Sequence, residues 1–265
     1  MQPDDGYLIM KQGQRLWTRD ELILAINLYC KLPFGRLHRL NPEVINLSKL
    51  INRTPSSVAL KLVNFASLDP SLKERGIKGA SNASKLDAEI WREFYNHWDI
   101  LPYESEKLLA QFEHTTVEQL NQISEEELPK EGKVREQMVK VRVNQSFFRS
   151  TILAAYNYTC CITGINQTEF LIAGHIRPWG IDEKNRLNPR NGIAINALHD
   201  KAFEVGFITI TPEYVIKISP QILKQKSQHS IDLFGKYDNQ KIHLPSRFLP
   251  DVEFLKYHNE ERFKS

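Results

Sequence analysis

A histidine, an asparagine and a His-Asp pair fall within one short stretch of this 265-residue chain. The apolar run FLIA ends in Gly174-His175, a polar loop follows, and Asn191-Gly192 leads into a helical pattern bearing His199 and Asp200. An imidazole titrating near neutrality suits the removal of a proton in a reaction. Arg177, Arg190 and Lys201 lie in the same unit, and guanidinium and ammonium groups are the usual anchors for phosphate. The other histidines, His38, His97, His114, His229, His243 and His258, share no such pattern and take the default of structural residues. Cys30, Cys160 and Cys161 are too few for a four-cysteine zinc site or a disulfide framework, which fits a reduced compartment. Trp179 reads as the closure of a small core rather than a stacking platform.

The order His175, Asn191, His199 resembles the HNH nucleases, whose ββα-metal unit carries a histidine at the end of its first strand, an asparagine in the loop and a histidine on the helix. The likeness is closest to a bacterial branch patterned FRxxILxAYxxxCxxTG, then HIxPW, NPRNG and ALHDKAF before a glycine, which the segment 148–206 follows nearly throughout. WTxDE, RTPSSVAxKLxNF and LDP resemble the front domain often fused to that branch.

The resemblance implies a DNA endonuclease in restriction or defence against foreign DNA. His175 would be the general base of phosphodiester cleavage, and Asn191 would hold it in place across the loop. A divalent metal, Mg²⁺ or alternatively Mn²⁺, would neutralise charge on the phosphoryl and leaving oxygens. His199 and Asp200 are its candidate ligands, and helix phase decides between them. Two departures stand out. Gly174 replaces a coordinating residue common before the base histidine, and Glu204-Val205 replace an aspartate and an arginine before Gly206. They motivate an alternative, a DNA-binding protein whose HNH unit no longer cuts. A nuclease preferring RNA or structured strands is a third reading.

Three capped helices precede this unit. Thr18 and Glu21 form a capping box ahead of Leu22, Ala25, Ile26 and Tyr29; Asn41-Pro42 opens VINLSKLI; Thr54-Pro55 opens SSVALKLVNF. With a tight turn at Asn52-Arg53 they predict a helix-turn-helix whose third helix offers Ser56, Ser57, Lys61 and Asn64 to a groove, while Arg36, Arg39 and Arg53 meet phosphates. The plain alternative is the solvated face of an ordinary bundle. A further helix is expected over 85–98, SEEELPKEGK reads as linker, VKVRV as a short strand by alternation, and QSFFRSTILAAYN as an amphipathic helix. FITI and YVIKI are later strands.

The expected architecture is α+β: a helical DNA-binding domain over 1–105, a linker over 106–140 and a ββα-metal nuclease domain over 141–265. Net charge of +3 permits a polyanionic partner without requiring one. The expected partner is double-stranded DNA, with a homodimer where both strands are cut. No apolar run approaches the ~18 residues of a membrane helix, and MQPDDGYLIMKQGQRLW lacks the pattern of a secretory signal, so a cytoplasmic protein is expected.

Overall fold

The computed structural model describes residues 15–76, 83–95, 97–224 and 227–265. The first helix, α1 (Arg19–Lys31), starts at the anticipated capping box: the Thr18 hydroxyl accepts from Glu21 N, and the Glu21 carboxylate accepts from Thr18 N. Asn41 caps α2 (Pro42–Leu50) by accepting from Glu43 N and Thr54 caps α3 (Pro55–Leu68) by accepting from Ser57 N, each with proline in the first turn. The short α4 (Pro70–Glu74) is capped by Asp69. Ser84 caps α5 (Lys85–Tyr95), which ends before Trp98, although Trp98 is buried in the turn that follows.

The stretch 106–140 carries the rest of α6 (Leu101–Phe112), then α7 (Val117–Leu120) and the first turns of α8 (Lys133–Ala155). The VKVRV segment is helical, which corrects the expected strand. Val139 and Val143 are buried while Val141 is exposed, a spacing of four rather than two. Five residues are too few to separate the two periods.

Past α8, β1 (Leu171–His175) and β2 (Gly192–Asn196) pair antiparallel, with His175 opposite Gly192 and Leu171 opposite Asn196. Helix α9 (Ala197–Glu204) follows without a gap and is capped by Asn196. A second hairpin joins β3 (Ile208–Ile210) to β4 (Ile216–Ile218). Two short helices, α10 (Pro220–Leu223) and α11 (Gln228–Leu233), come next, and α12 (Val252–Glu261) packs on β3. This is an α+β chain, and no described helix is long and apolar enough to cross a membrane.

One apolar cluster runs from Leu22 and Phe65 through Phe147 and Phe148 to Ile193 and Phe203, so the helices before α8 and the hairpin after it share a core. Arg247, fully buried, reaches back from the C-terminal stretch and donates Nη2 to the carbonyls of Cys30 and Leu32, with its guanidinium over the Tyr29 ring. Arg75 donates to the carbonyls of Pro245 and Ser246, which ties the other side of the same strap.

The residues expected to read DNA are engaged inside the helical half. Lys61 is buried and donates to both oxygens of Asp87 (2.8 and 2.7 Å), and Asn64 is buried beside it. Arg53 binds Glu21 through Nε and Nη2 (3.1 and 2.7 Å) and lies over the Trp17 ring. The structure thus places these three, expected at groove and phosphates, on partners inside the helical half. Removing one partner of a buried pair leaves the other charge uncompensated, at about 3–5 kcal/mol. Asp87→Ala is expected to lower stability by about that much in denaturant titration. Lys61→Ala is expected to do the same, with DNA affinity of the folded fraction unchanged.

Candidate functional site

His175 closes β1 with its ring stacked on Phe148 (centroids 4.2 Å apart, planes 6° apart) and edge-on to Trp179. Its Nε2 lies 2.8 Å from the Arg186 carbonyl. A carbonyl only accepts, so the neutral ring carries its proton on Nε2 and leaves Nδ1 bare. Burial pushes the pKa of His175 below its ordinary 6.5, with the bond to Arg186 opposing. The ring is therefore neutral at physiological pH, as a base must be.

Asn191 is fully buried. Its Oδ1 accepts from Arg177 N (2.8 Å), and its Nδ2 donates to the carbonyls of Arg177 (3.2 Å) and Asn185 (3.1 Å). The Asn191 carbonyl also accepts from Ile176 N. One side chain and one carbonyl thus fasten the chain just past His175 to the far end of the loop that carries Arg186. Asn191 lies outside the cleft and fixes the geometry of the residue inside it.

Gly174 explains how α9 comes so near. A Cβ built there would lie 2.5 Å from Asp200 Oδ1 and 3.2 Å from Ile195 Cγ2, so the Asp200 carboxylate occupies the space a side chain at 174 would need. Where the strand has no side chain, the helix places a carboxylate. Burial, reinforced by the charge of Glu204, raises the Asp200 pKa, with Lys201 opposing; no hydrogen bond contributes.

His199 points elsewhere. Its Nε2 donates to the Leu233 carbonyl (2.8 Å), its Nδ1 lies 3.0 Å from Asn196 Oδ1, and the ring packs against Phe234 and Tyr237. With Nε2 donating to Leu233, Nδ1 facing Asn196 Oδ1 and the side chain buried, His199 lies off the lining of the cleft described next. The phase of α9 turns Asp200 to the cleft instead.

The cleft between β1 and α9 measures about 280 Å³ and is lined by Gly174, His175, Trp179, Asp200, Glu204 and Arg262, among others. Among the described residues no cluster of three or more His, Cys, Asp or Glu side chains is arranged to hold a metal. The donor set nevertheless suits one. Asp200 is a half-buried carboxylate with no hydrogen bond in its shift, and Glu204 lies one turn along the same helix. Mg²⁺ is usually held by one or two carboxylates, with water and substrate phosphate completing its octahedron.

The expected phosphate anchors of this unit are engaged at its margin. Arg177 pairs with Asp182 (3.1 Å) and lies over Tyr257, Arg190 pairs with Asp251 (3.2 Å), and Lys201 binds Glu204 on the surface (2.8 Å). Arg262, just past α12, lines the cleft without any local signal in the sequence to mark it. Residues 160–211 match the family described as HNH endonuclease, and that segment is an HNH domain. Among curated proteins none matches the chain.

His258, buried behind the cleft, donates Nε2 to the Phe203 carbonyl and accepts the Thr209 hydroxyl at Nδ1. Burial drives its pKa down to about 4, the Phe203 bond opposing. The pKa values of His175 and His199 are lowered too. Below pH 6.5 the unfolded chain takes up protons that the folded chain refuses, so stability falls with pH. His258 alone is worth roughly 3 kcal/mol at pH 4, at 1.36 kcal/mol per unit. Denaturant midpoints are expected to drop between pH 6.5 and 4, and less steeply in His258→Gln.

Proposed function

Given an HNH nuclease domain at 160–211, we propose that the chain is a metal-dependent endonuclease that hydrolyses phosphodiester bonds of double-stranded DNA. The observation that carries the reading is the placement of His175: a neutral imidazole with its Nε2 proton fixed on Arg186, across a narrow cleft from the Asp200 carboxylate. Nδ1 takes the proton from a water attacking phosphorus, and the bond to the Arg186 carbonyl strengthens as the ring becomes charged. Stacking on Phe148 and the bonds of Asn191 hold the ring still, so little is lost to reorientation. Asp200, with Glu204 beside it, would hold the divalent cation, Mg²⁺ or Mn²⁺. That ion supplies charge neutralisation at the phosphoryl and leaving oxygens.

The likeness to restriction-type HNH enzymes supports a role in restriction of foreign DNA. One cleft serves one strand, so a double-strand break calls for two copies acting together. The helical half, with the cytoplasm as its setting, would present the duplex to the cleft.

Cleavage of methylated and unmethylated plasmid or phage DNA with Mg²⁺, Mn²⁺ or EDTA tests the reading. Metal-dependent cutting is expected, lowered by about 10²–10⁴-fold in His175→Ala. Absence of cutting with DNA binding intact sinks the nuclease in favour of a binding protein. RNA outcompeting DNA reassigns the substrate. Asp200→Asn is expected to abolish Mn²⁺ binding in titration calorimetry, whereas His199→Gln should weaken the fold and leave that binding in place. Gly174→Ala should act like Asp200→Asn, because the added methyl displaces the carboxylate.

A further inference from the structure

The cleft has an electrostatic problem. Asp200 and Glu204 place two carboxylates on one side and His175 is neutral, yet the substrate proposed for it is an anion. Arg177 and Arg190 are each paired with an acid outside the cleft lining, and Lys201, itself outside that lining, pairs with Glu204. Among the residues lining the cleft, Arg262 alone is a cation.

Its position is built by the fold. Gly206 takes φ +84°, a conformation that favours glycine, and a Cβ there would lie 2.0 Å from the Arg262 carbonyl oxygen. Lys264 N donates to the Gly206 carbonyl (2.9 Å), so the stretch after α12 is clamped onto the turn that ends α9. The clamp brings the guanidinium to the rim, where Nη2 donates to the Glu204 carbonyl (2.7 Å). Among the described residues Arg262 makes no ion pair within 4 Å, although the Glu204 pKa, lowered chiefly by the hydrogen bond from Lys201, is lowered further by its charge, and the other guanidinium nitrogens have no hydrogen bond there. A guanidinium steadied by one bond, with a free fork beside a cleft, matches the geometry of a phosphodiester oxygen pair.

We infer that Arg262, from outside the HNH segment, is the phosphate-binding residue of this cleft and grips the nucleic-acid backbone beside the bond to be cut. The inference rests on the reading of the cleft as a site for DNA phosphodiesters. The competing role is purely structural: a cation near the C-terminal carbonyls of α9 stabilises that helix. The two roles differ in what salt does. A phosphate contact releases counterions and steepens the dependence of binding on salt, and a helix cap does not.

The test uses the full chain carrying His175→Ala, so that DNA stays intact, and measures affinity for a short mixed-sequence duplex over a range of KCl at fixed Mg²⁺. Adding Arg262→Gln is expected to weaken binding about tenfold and to reduce the slope of log K against log salt by about one. Arg262→Lys should keep the slope. Independently of any substitution at 262, duplex DNA should shield Arg262 from an arginine-modifying dicarbonyl, read by mass spectrometry; this holds even if the Gln variant fails to fold. An unchanged slope in folded Arg262→Gln, or modification indifferent to DNA, overturns the inference. Cutting by the wild type is scored apart. A chain that never cuts, yet shows the loss of slope, refutes the nuclease and leaves the phosphate contact standing.

Discussion

Helix α9 and strand β1 approach each other more closely than any side chain at position 174 would permit, and the architecture of the cleft follows from that approach. With hydrogen alone at Gly174, Asp200 moves to within what would be 2.5 Å of a Cβ, level with His175 at the strand end. Since α9 follows β2 without a loop and β2 is registered against β1, the hairpin pairing fixes the helix as well. Imidazole and carboxylate are thus set against each other by backbone hydrogen bonds rather than by mobile loop residues.

Support for this pair comes from both sides. The loop between the strands is drawn shut by Asn191, and Phe148 of α8 provides the floor under the imidazole. Behind α9, His258 uses both ring nitrogens, one as donor and one as acceptor, and His199 donates Nε2 to the Leu233 carbonyl; each stacks or packs on aromatic rings. Two histidines are therefore buried hydrogen-bonding wedges, while the third closes β1 at the cleft. What separates them is their partners, since burial lowers the pKa of all three.

Much of this was legible in the residues themselves. Caps at Thr18, Asn41 and Thr54 gave helix starts because capping is local chemistry, and the His175-Asn191-His199 order pointed to a strand, loop and helix. Which of His199 and Asp200 faces the cleft was not legible, because one residue of helix phase, about 100° of rotation, decides it. The internal pairing of Lys61, Asn64 and Arg53 was hidden for another reason. A polar residue on a helix signals the surface until its partner is known, and Asp87 and Glu21 lie far away in sequence. VKVRV misled by brevity, and Arg262 carried no signal because its place depends on a tertiary clamp at Gly206.

Arg247 has a consequence for the order in which the protein can be finished. The carbonyls of Cys30 and Leu32 belong to the part of the chain made early, yet their donor is 217 and 215 residues downstream. During synthesis on a ribosome the helical half emerges first and is completed last, waiting for a guanidinium that arrives after the whole β1–β2 hairpin. Nascent or truncated chains thus lack the plug that joins the two halves, and completion of their shared core is deferred until synthesis has passed the strap.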